Sequence, residues 1–185
     1  MRLFTAVYPT DEVADHLAAC VAKLRVSRAA ADGVNTRLAP RNNWHVTLAF
    51  LGEVPDERLP AVEQALARVS SPPFEIKVAG GGRFGRGRFT VLWAALGGDL
   101  PALTGLSRSV RRELSRARLP FDRKPFRPHL TIARPGDRID RAEVAADRAT
   151  LDAYEGPLWR VAEVVLMRSH PGPHPAYDRL GAWAL

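Results

Sequence analysis

The chain has one cysteine, Cys20, so no intrachain disulfide can brace it. No apolar run approaches the ~20 residues of a membrane-spanning helix. The opening run from Met1 to Tyr8 is too short for a secretory leader and has strand character. A cytoplasmic protein is therefore expected. The glycine-rich stretch Gly80 to Arg88 lacks the Gly-Lys-Ser/Thr ending of a phosphate-cradling P-loop. Neither His45 nor His129 is flanked by Asp or Glu at ligand spacing, and no ligand cluster accompanies His170 and His174, so neither a metal nor another cofactor is expected. Lysine is scarce: Lys23, Lys77 and Lys124 are three of the 27 basic residues, the rest being Arg. The net charge of +7 favours an anionic partner, although Arg bias with abundant Ala is also what a GC-rich genome produces.

What is present is ordinary for a globular protein. The 185 residues are 46% hydrophobic and 25% charged, enough for a single domain over 1–185. Period-2 and period-3.6 segments alternate along it. A strand is expected over 2–8, then Thr10 as N-cap of a helix running to about Ala30 with Val13, Leu17, Val21 and Leu24 inward. A short strand over 34–38 and a turn over 40–43 lead to a strand at 44–51. A loop (52–56), a helix (56–70) and a strand (74–79) follow. Gly80–Arg88 reads as a flexible hairpin connection, or as a basic flap carrying Arg83, Arg86 and Arg88. A strand (89–96), a helix (99–117) and a basic loop (120–127) lead to a strand at 128–134. The chain ends in a short helix (141–149) and strands at 158–168 and 177–184. Arg108, Arg111, Arg112, Arg116 and Arg118 read as a solvated helix face, with RNA contact as the alternative. Connections this short between many strands require largely antiparallel sheets, hence an α+β fold.

Two segments in this pattern repeat each other: His45-Val46-Thr47-Leu48 and His129-Leu130-Thr131-Ile132. Alternation buries the apolar residues and leaves one imidazole and one hydroxyl on the opposite face, roughly 7 Å apart. Two such strands side by side would offer two imidazoles and two hydroxyls to one small ligand. The set suits a phosphate ester. One His takes a proton from a nucleophile, the other gives one to the leaving oxygen, and the hydroxyls of Thr47 and Thr131 bind non-bridging oxygens.

With these motifs, their flanks and the opening segment (Met1–Ala6, Trp44–Val54, Val91-Leu92-Trp93, Pro125–Arg134 and Val164–Ser169), the chain resembles the 2H phosphoesterases over nearly its whole length. It looks closest to their RNA 2′,3′-cyclic phosphodiesterase branch, also called 2′-5′ RNA ligases. The resemblance implies two pseudo-symmetric lobes of mainly antiparallel sheet flanked by helices, with the active-site cleft between them. It implies His45 and His129 as catalytic residues, His129 the base and His45 the acid, and Thr47, Thr131 and Arg134 as substrate-binding residues. It implies metal-independent hydrolysis of an RNA terminal 2′,3′-cyclic phosphate to a 2′-phosphomonoester, with reverse 2′-5′ ligation. The partner would be RNA with such an end, tRNA fragments among them, and the protein a monomer. One departure is Ala49, where this branch often carries Lys, so a contact by that Lys is absent.

Arg134 reads as sharing the face of His129 and Thr131, where a guanidinium can neutralise phosphate bidentately. Arg127 is a weaker candidate. Phe50 falls on the core parity, Trp93 reads as core, and Tyr177 is open between ligand contact and strand packing. His16, His170 and His174 read as surface residues, the last two in a loop without acidic partners. The alternatives are a 2H enzyme for another small cyclic phosphate (an ADP-ribose cyclic phosphate or a cyclic nucleotide), a non-catalytic RNA-binding module, and a metal-dependent hydrolase using both histidines as ligands.

Overall fold

The computed structural model describes residues 1–172 and 175–185. His174 lies outside the described residues. Strands and helices run β1 (Arg2–Val7), α1 (Asp11–Val21), α2 (Arg25–Ala31), β2 (Val46–Glu53), α3 (Leu59–Leu66), β3 (Phe74–Phe84), β4 (Val91–Gly98), α4 (Leu100–Arg116), β5 (Leu130–Ala133), α5 (Arg141–Asp152), β6 (Glu155–Val161), β7 (Glu163–His170) and β8 (Ala176–Ala184). They form two four-stranded sheets, ordered β2-β1-β7-β8 and β5-β4-β3-β6. Every ladder is antiparallel, as an α+β chain with short connections requires. Each sheet carries one His-x-Thr motif on an outer strand, beside the strand that precedes it in the chain. The lobes interleave in sequence: the first sheet combines the N-terminal and C-terminal strands, and the second is built from the middle.

The helices cover these sheets with the apolar stripes read from spacing. Leu103, Leu106, Val110 and Leu114 of α4 are all buried, as are Val13, Leu17 and Val21 of α1. One hydrophobic cluster runs through residues of both sheets and all five helices. Cys20 is half-buried against it. Thr10 caps α1 by accepting from the Val13 amide at 3.4 Å. Among the described residues, no helix is long and apolar enough to cross a membrane.

Four expected elements differ. The helix expected to run to Ala30 breaks after Val21, because the Asp147 carboxylate accepts from the Arg25 and Val26 amides at 2.6 and 2.9 Å and starts α2 afresh. The segment 34–38 is no strand; Leu38 makes one isolated bridge to Ala133. The strand expected over 158–168 is two strands in different sheets, β6 on β3 and β7 on β1. The Gly80–Arg88 stretch is only partly a hairpin connection, since β3 continues through it to Phe84. Its glycines there serve close packing. A Cβ on Gly81 would lie 2.4 Å from the Leu151 Cβ, and one on Gly82 would lie 2.3 Å from the Trp93 ring.

The basic face of α4 is likewise less solvated than its charge suggests. Arg112, Arg116 and Arg68 surround the buried Glu113 carboxylate. Arg111 donates to two backbone carbonyls, those of Leu48 and Lys124. Arg108 and Arg118 remain exposed.

Candidate active site

Both motif strands carry the same irregularity, and it shapes the site. Opposite β1, residue Leu48 of β2 is an extra residue: Thr5 pairs with Ala49 and Ala6 with Thr47. Opposite β4, Ile132 of β5 is extra in the same way, with Leu92 on Ala133 and Trp93 on Thr131. Such a bulge leaves one residue out of the ladder and reverses side-chain parity beyond it. Its carbonyl needs another donor. The Leu48 carbonyl accepts from the Ser107 hydroxyl at 2.8 Å and from Arg111 at 3.3 Å, and the Ile132 carbonyl accepts from the Ala39 amide at 2.8 Å.

The parity change sets which side chains reach the ligand. Leu48 and Ala49 are both buried, and Phe50 turns to the face of Thr47. Ile132 and Ala133 are both buried, and Arg134 turns to the face of Thr131. Strict alternation would have assigned Phe50 to the core, and would have sent Arg134 inward with Leu130 and Ile132. The expected position of Arg134 is therefore met through the bulge, and the expected position of Phe50 is not.

The two imidazoles stand one residue ahead of β2 and β5, and each is held the same way. The Nδ1 of His45 donates to the Asn43 carbonyl at 2.7 Å, and the Nδ1 of His129 donates to the Arg127 carbonyl at 2.6 Å. A carbonyl can only accept, so in each neutral ring the proton sits on Nδ1 and the Nε2 lone pair is free. Arg127 thus supplies a backbone carbonyl, and its guanidinium is exposed. The His45 ring is stacked on Phe4 at 4.8 Å, with Tyr8 and Tyr177 each 5.4 Å away. The His129 ring meets the edge of Phe84 at 5.0 Å and Trp93 at 6.2 Å. Trp93 is therefore not plain core; it backs an imidazole.

Burial among these rings lowers the pKa of His45 to about 4, aided by the charge of the second imidazole and opposed by the Asn43 carbonyl. His129 is also pushed below its ordinary value, by burial first and by the Arg134 guanidinium, against the pull of the Arg127 carbonyl. In the free protein near pH 7 both rings are neutral.

One cavity of about 770 Å³ takes in His45, Thr47, His129, Thr131 and Arg134, with walls from both sheets and from residues 37–40. Its volume suits a ligand of nucleotide size. Arg2 and Arg37 also line it, and among the described residues no carboxylate does. Three guanidiniums without a counter-charge fit an anion. Arg37 sits at φ 48, in the left-handed region, and its carbonyl accepts from the Arg134 amide at 3.3 Å. Phe50, with the Arg2 guanidinium 4.9 Å over its ring, and Tyr177 complete one wall. Neither Arg2, in the opening strand, nor Arg37, eight residues before His45, belongs to a His-x-Thr motif, and sequence reasoning assigned neither to the site; both reach the cavity by tertiary folding.

The remaining histidines stand apart. His16 contacts the Tyr154 hydroxyl at 2.7 Å on the surface. His170 does have an acidic partner, contrary to expectation: it faces Asp178 across the β7–β8 ladder, with its Nε2 2.6 Å from the carboxylate. Among the described residues, no group of three or more His, Cys, Asp or Glu side chains could hold a metal ion.

Gly82 lets the Trp93 ring lie flat across β3. Gly82→Ala is expected to force that ring toward His129 and to cost about 1–3 kcal/mol, the usual penalty of overpacking. Urea unfolding checks the cost, and the NMR shift of the His129 imidazole checks the displacement.

A pair of antiparallel sheets, each presenting one His-x-Thr strand to a shared basic cavity, is the architecture of a 2H phosphoesterase. Within that class the chain belongs to the 2′-5′ RNA ligase superfamily, whose profile matches residues 8–173. A Thermus thermophilus protein named RNA 2′,3′-cyclic phosphodiesterase is 33% identical over all of this chain and 90% of its own length. One of the same name from Geobacillus stearothermophilus is 32% identical over 89% of this chain, which spans about half (54%) of that relative. A solved Thermus thermophilus structure superposes with a TM-score of 0.77 at 28% identity, covering all of this chain and 98% of the other.

Proposed function

We propose that the chain hydrolyses RNA ending in a 2′,3′-cyclic phosphate to a 2′-phosphomonoester, with His45 and His129 as acid–base catalysts and no metal. The observation that carries the proposal is the pair of free Nε2 atoms, each fixed by a backbone carbonyl behind it, opening into one cavity with three guanidiniums. The name shared by the curated relatives supports the substrate class.

In this reading His129 takes a proton from water as its oxygen bonds to phosphorus. The bond from phosphorus to the 3′ oxygen breaks, and His45 protonates that oxygen. Thr47 and Thr131 donate to the non-bridging oxygens, and Arg134 neutralises the charge that gathers there. An imidazole with a pKa near 4 is a poor acid source in the free protein, so substrate must bring the proton's partner with it. The cyclic phosphate anion beside His45 raises its pKa and stabilises the protonated ring. With a ribose 5′ hydroxyl in place of water, the same sequence forms a 2′-5′ linkage: His129 takes the hydroxyl proton, its oxygen bonds to phosphorus, and the 3′ oxygen leaves with the proton of His45. One domain working as a monomer suffices for this chemistry, since both histidines come from the same chain.

The test is a short RNA with a 2′,3′-cyclic phosphate end, incubated with the protein in EDTA. Conversion to a 2′-phosphate is the expected result. A 3′-phosphate product would reverse the assignment of the leaving oxygen, and dependence on added metal would reject the two-histidine mechanism.

A further inference from the structure

A second cavity, of about 560 Å³, lies between the β3–β4 hairpin, the turn after β5 and helix α5. Four guanidiniums line it: Arg83 and Arg86 from the hairpin, and Arg141 and Arg148 two turns apart on one face of α5. None of the four has a carboxylate within ion-pair distance among the described residues. Two carboxylates also line it, but Asp140 is committed to the capping box at the start of α5. Four positive charges thus face two negative ones, and the lining stays net positive.

Other arginine groups in the chain are differently placed. Arg68, Arg112 and Arg116 surround Glu113, and Arg41 is held by Asp11 and Asp15. Those arginines are neutralised by carboxylates. The four around the second cavity make no ion pair among the described residues and outnumber the two carboxylates beside them, an excess of like charge that costs folding energy unless an anion joins it.

The same hairpin links this cavity to the active site. Phe84 meets the His129 ring at 5.0 Å, and Arg83, its neighbour in β3, opens onto the second cavity. The β5 segment makes a second link, since Arg134 lines the first cavity and Gly136 the second. In the same β3–β4 connection stands Phe89, 66% exposed, with the Arg88 guanidinium 4.8 Å over its ring. An exposed aromatic among unpaired arginines is the surface that single-stranded nucleic acid uses, with bases on the ring and phosphates on the guanidiniums.

Resting on the hydrolase reading above, we infer that the β3–β4 hairpin and α5 form an anion subsite for the RNA body. The terminal cyclic phosphate occupies the first cavity, a base upstream of it stacks on Phe89, and backbone phosphates occupy the second cavity. The protein is then selective for oligonucleotides over mononucleotides.

The test compares a 12-nucleotide RNA ending in a 2′,3′-cyclic phosphate with 2′,3′-cyclic AMP, using the wild type, the triple variant Arg83→Ala/Arg86→Ala/Arg148→Ala, and Phe89→Ala. The triple variant is expected to raise KM for the 12-mer on the order of 10-fold or more and to reduce its log–log salt dependence by about 2, at roughly 0.7 per phosphate contact on single strands. Phe89→Ala should raise the same KM at least about fivefold, the loss of one stacked base. Turnover of 2′,3′-cyclic AMP should stay within about twofold in both. An unchanged KM for the 12-mer, or an equal loss on both substrates, would overturn the subsite. If the wild type converts neither substrate, the hydrolase reading fails, and the subsite is decided separately by fluorescence anisotropy with a labelled 12-mer: weaker binding by the triple variant supports it, equal binding rejects it.

Discussion

Removing either imidazole is expected to cut hydrolysis of an RNA 2′,3′-cyclic phosphate by roughly 10²–10⁴-fold, the usual worth of a positioned proton donor or acceptor. His45→Ala and His129→Ala should both show it in kcat, with circular dichroism spectra like that of the wild type. The double variant should lose much less than the product of the two single losses, because both rings serve one displacement and neither is useful without the other. On the proposed assignments, residual turnover is expected to come from Thr47, Thr131 and the guanidiniums, the groups proposed to bind and polarise the phosphate. The division of labour is tested by a substrate with sulfur in place of the 3′ oxygen. A thiolate leaves without a proton, so the loss in His45→Ala should largely disappear while that in His129→Ala persists. Rescue of His129→Ala instead would exchange the two roles. EDTA should change none of these rates.

Much of this site is legible in the amino-acid sequence, because its chemistry is carried by a repeated four-residue pattern and each copy is local. Strand alternation located His45 with Thr47 and His129 with Thr131, and the antiparallel α+β fold followed from short connections. What could not be read depends on contacts between distant residues. The extra residues Leu48 and Ile132 are ordinary strand formers, and they become bulges because carbonyls there find donors on α4 and on the 37–40 segment. Those bulges bring Phe50 and Arg134 to the cleft. The break between α1 and α2 depends on Asp147, more than a hundred residues away in the chain. The glycines of the Gly80–Arg88 stretch look like flexibility in composition, yet the space beside two of them is filled by Leu151 and Trp93. Local patterns report local structure, and the missing information is tertiary.

Stability is expected to fall as the pH drops from about 6.5 to about 4, with His45 as a main cause. In the unfolded chain its imidazole takes up a proton near pH ~6.5. In the folded protein, stacked on Phe4 and beside Tyr8 and Tyr177, it does so only near pH 4. Between those values the unfolded chain binds a proton that the native state refuses, so each step down in pH favours unfolding. The penalty is absent above 6.5 and complete below 4. It amounts to roughly 3 kcal/mol, since each of the two and a half pH units between the two values contributes about 1.36 kcal/mol. His129 adds to it in the same direction. His45→Phe keeps a ring in the aromatic nest and removes the titration, so its urea stability should lose less between pH 7 and pH 4.5 than that of the wild type. Equal losses in the two proteins would show that His45 is not the group responsible. Inorganic phosphate in the cavity should oppose the effect, since an anion beside the imidazoles favours their charged forms. Its stabilisation should therefore be larger at pH 5 than at pH 8, measured as a change in Tm. On the proposed two-histidine mechanism, the same coupling sets the pH dependence of turnover. The competent state holds one proton between the two rings, so kcat/KM should peak on the acid side of 6.5 and fall about tenfold per pH unit above it. The alkaline limb of kcat should lie at higher pH, because bound substrate supplies the anion that holds the proton in place.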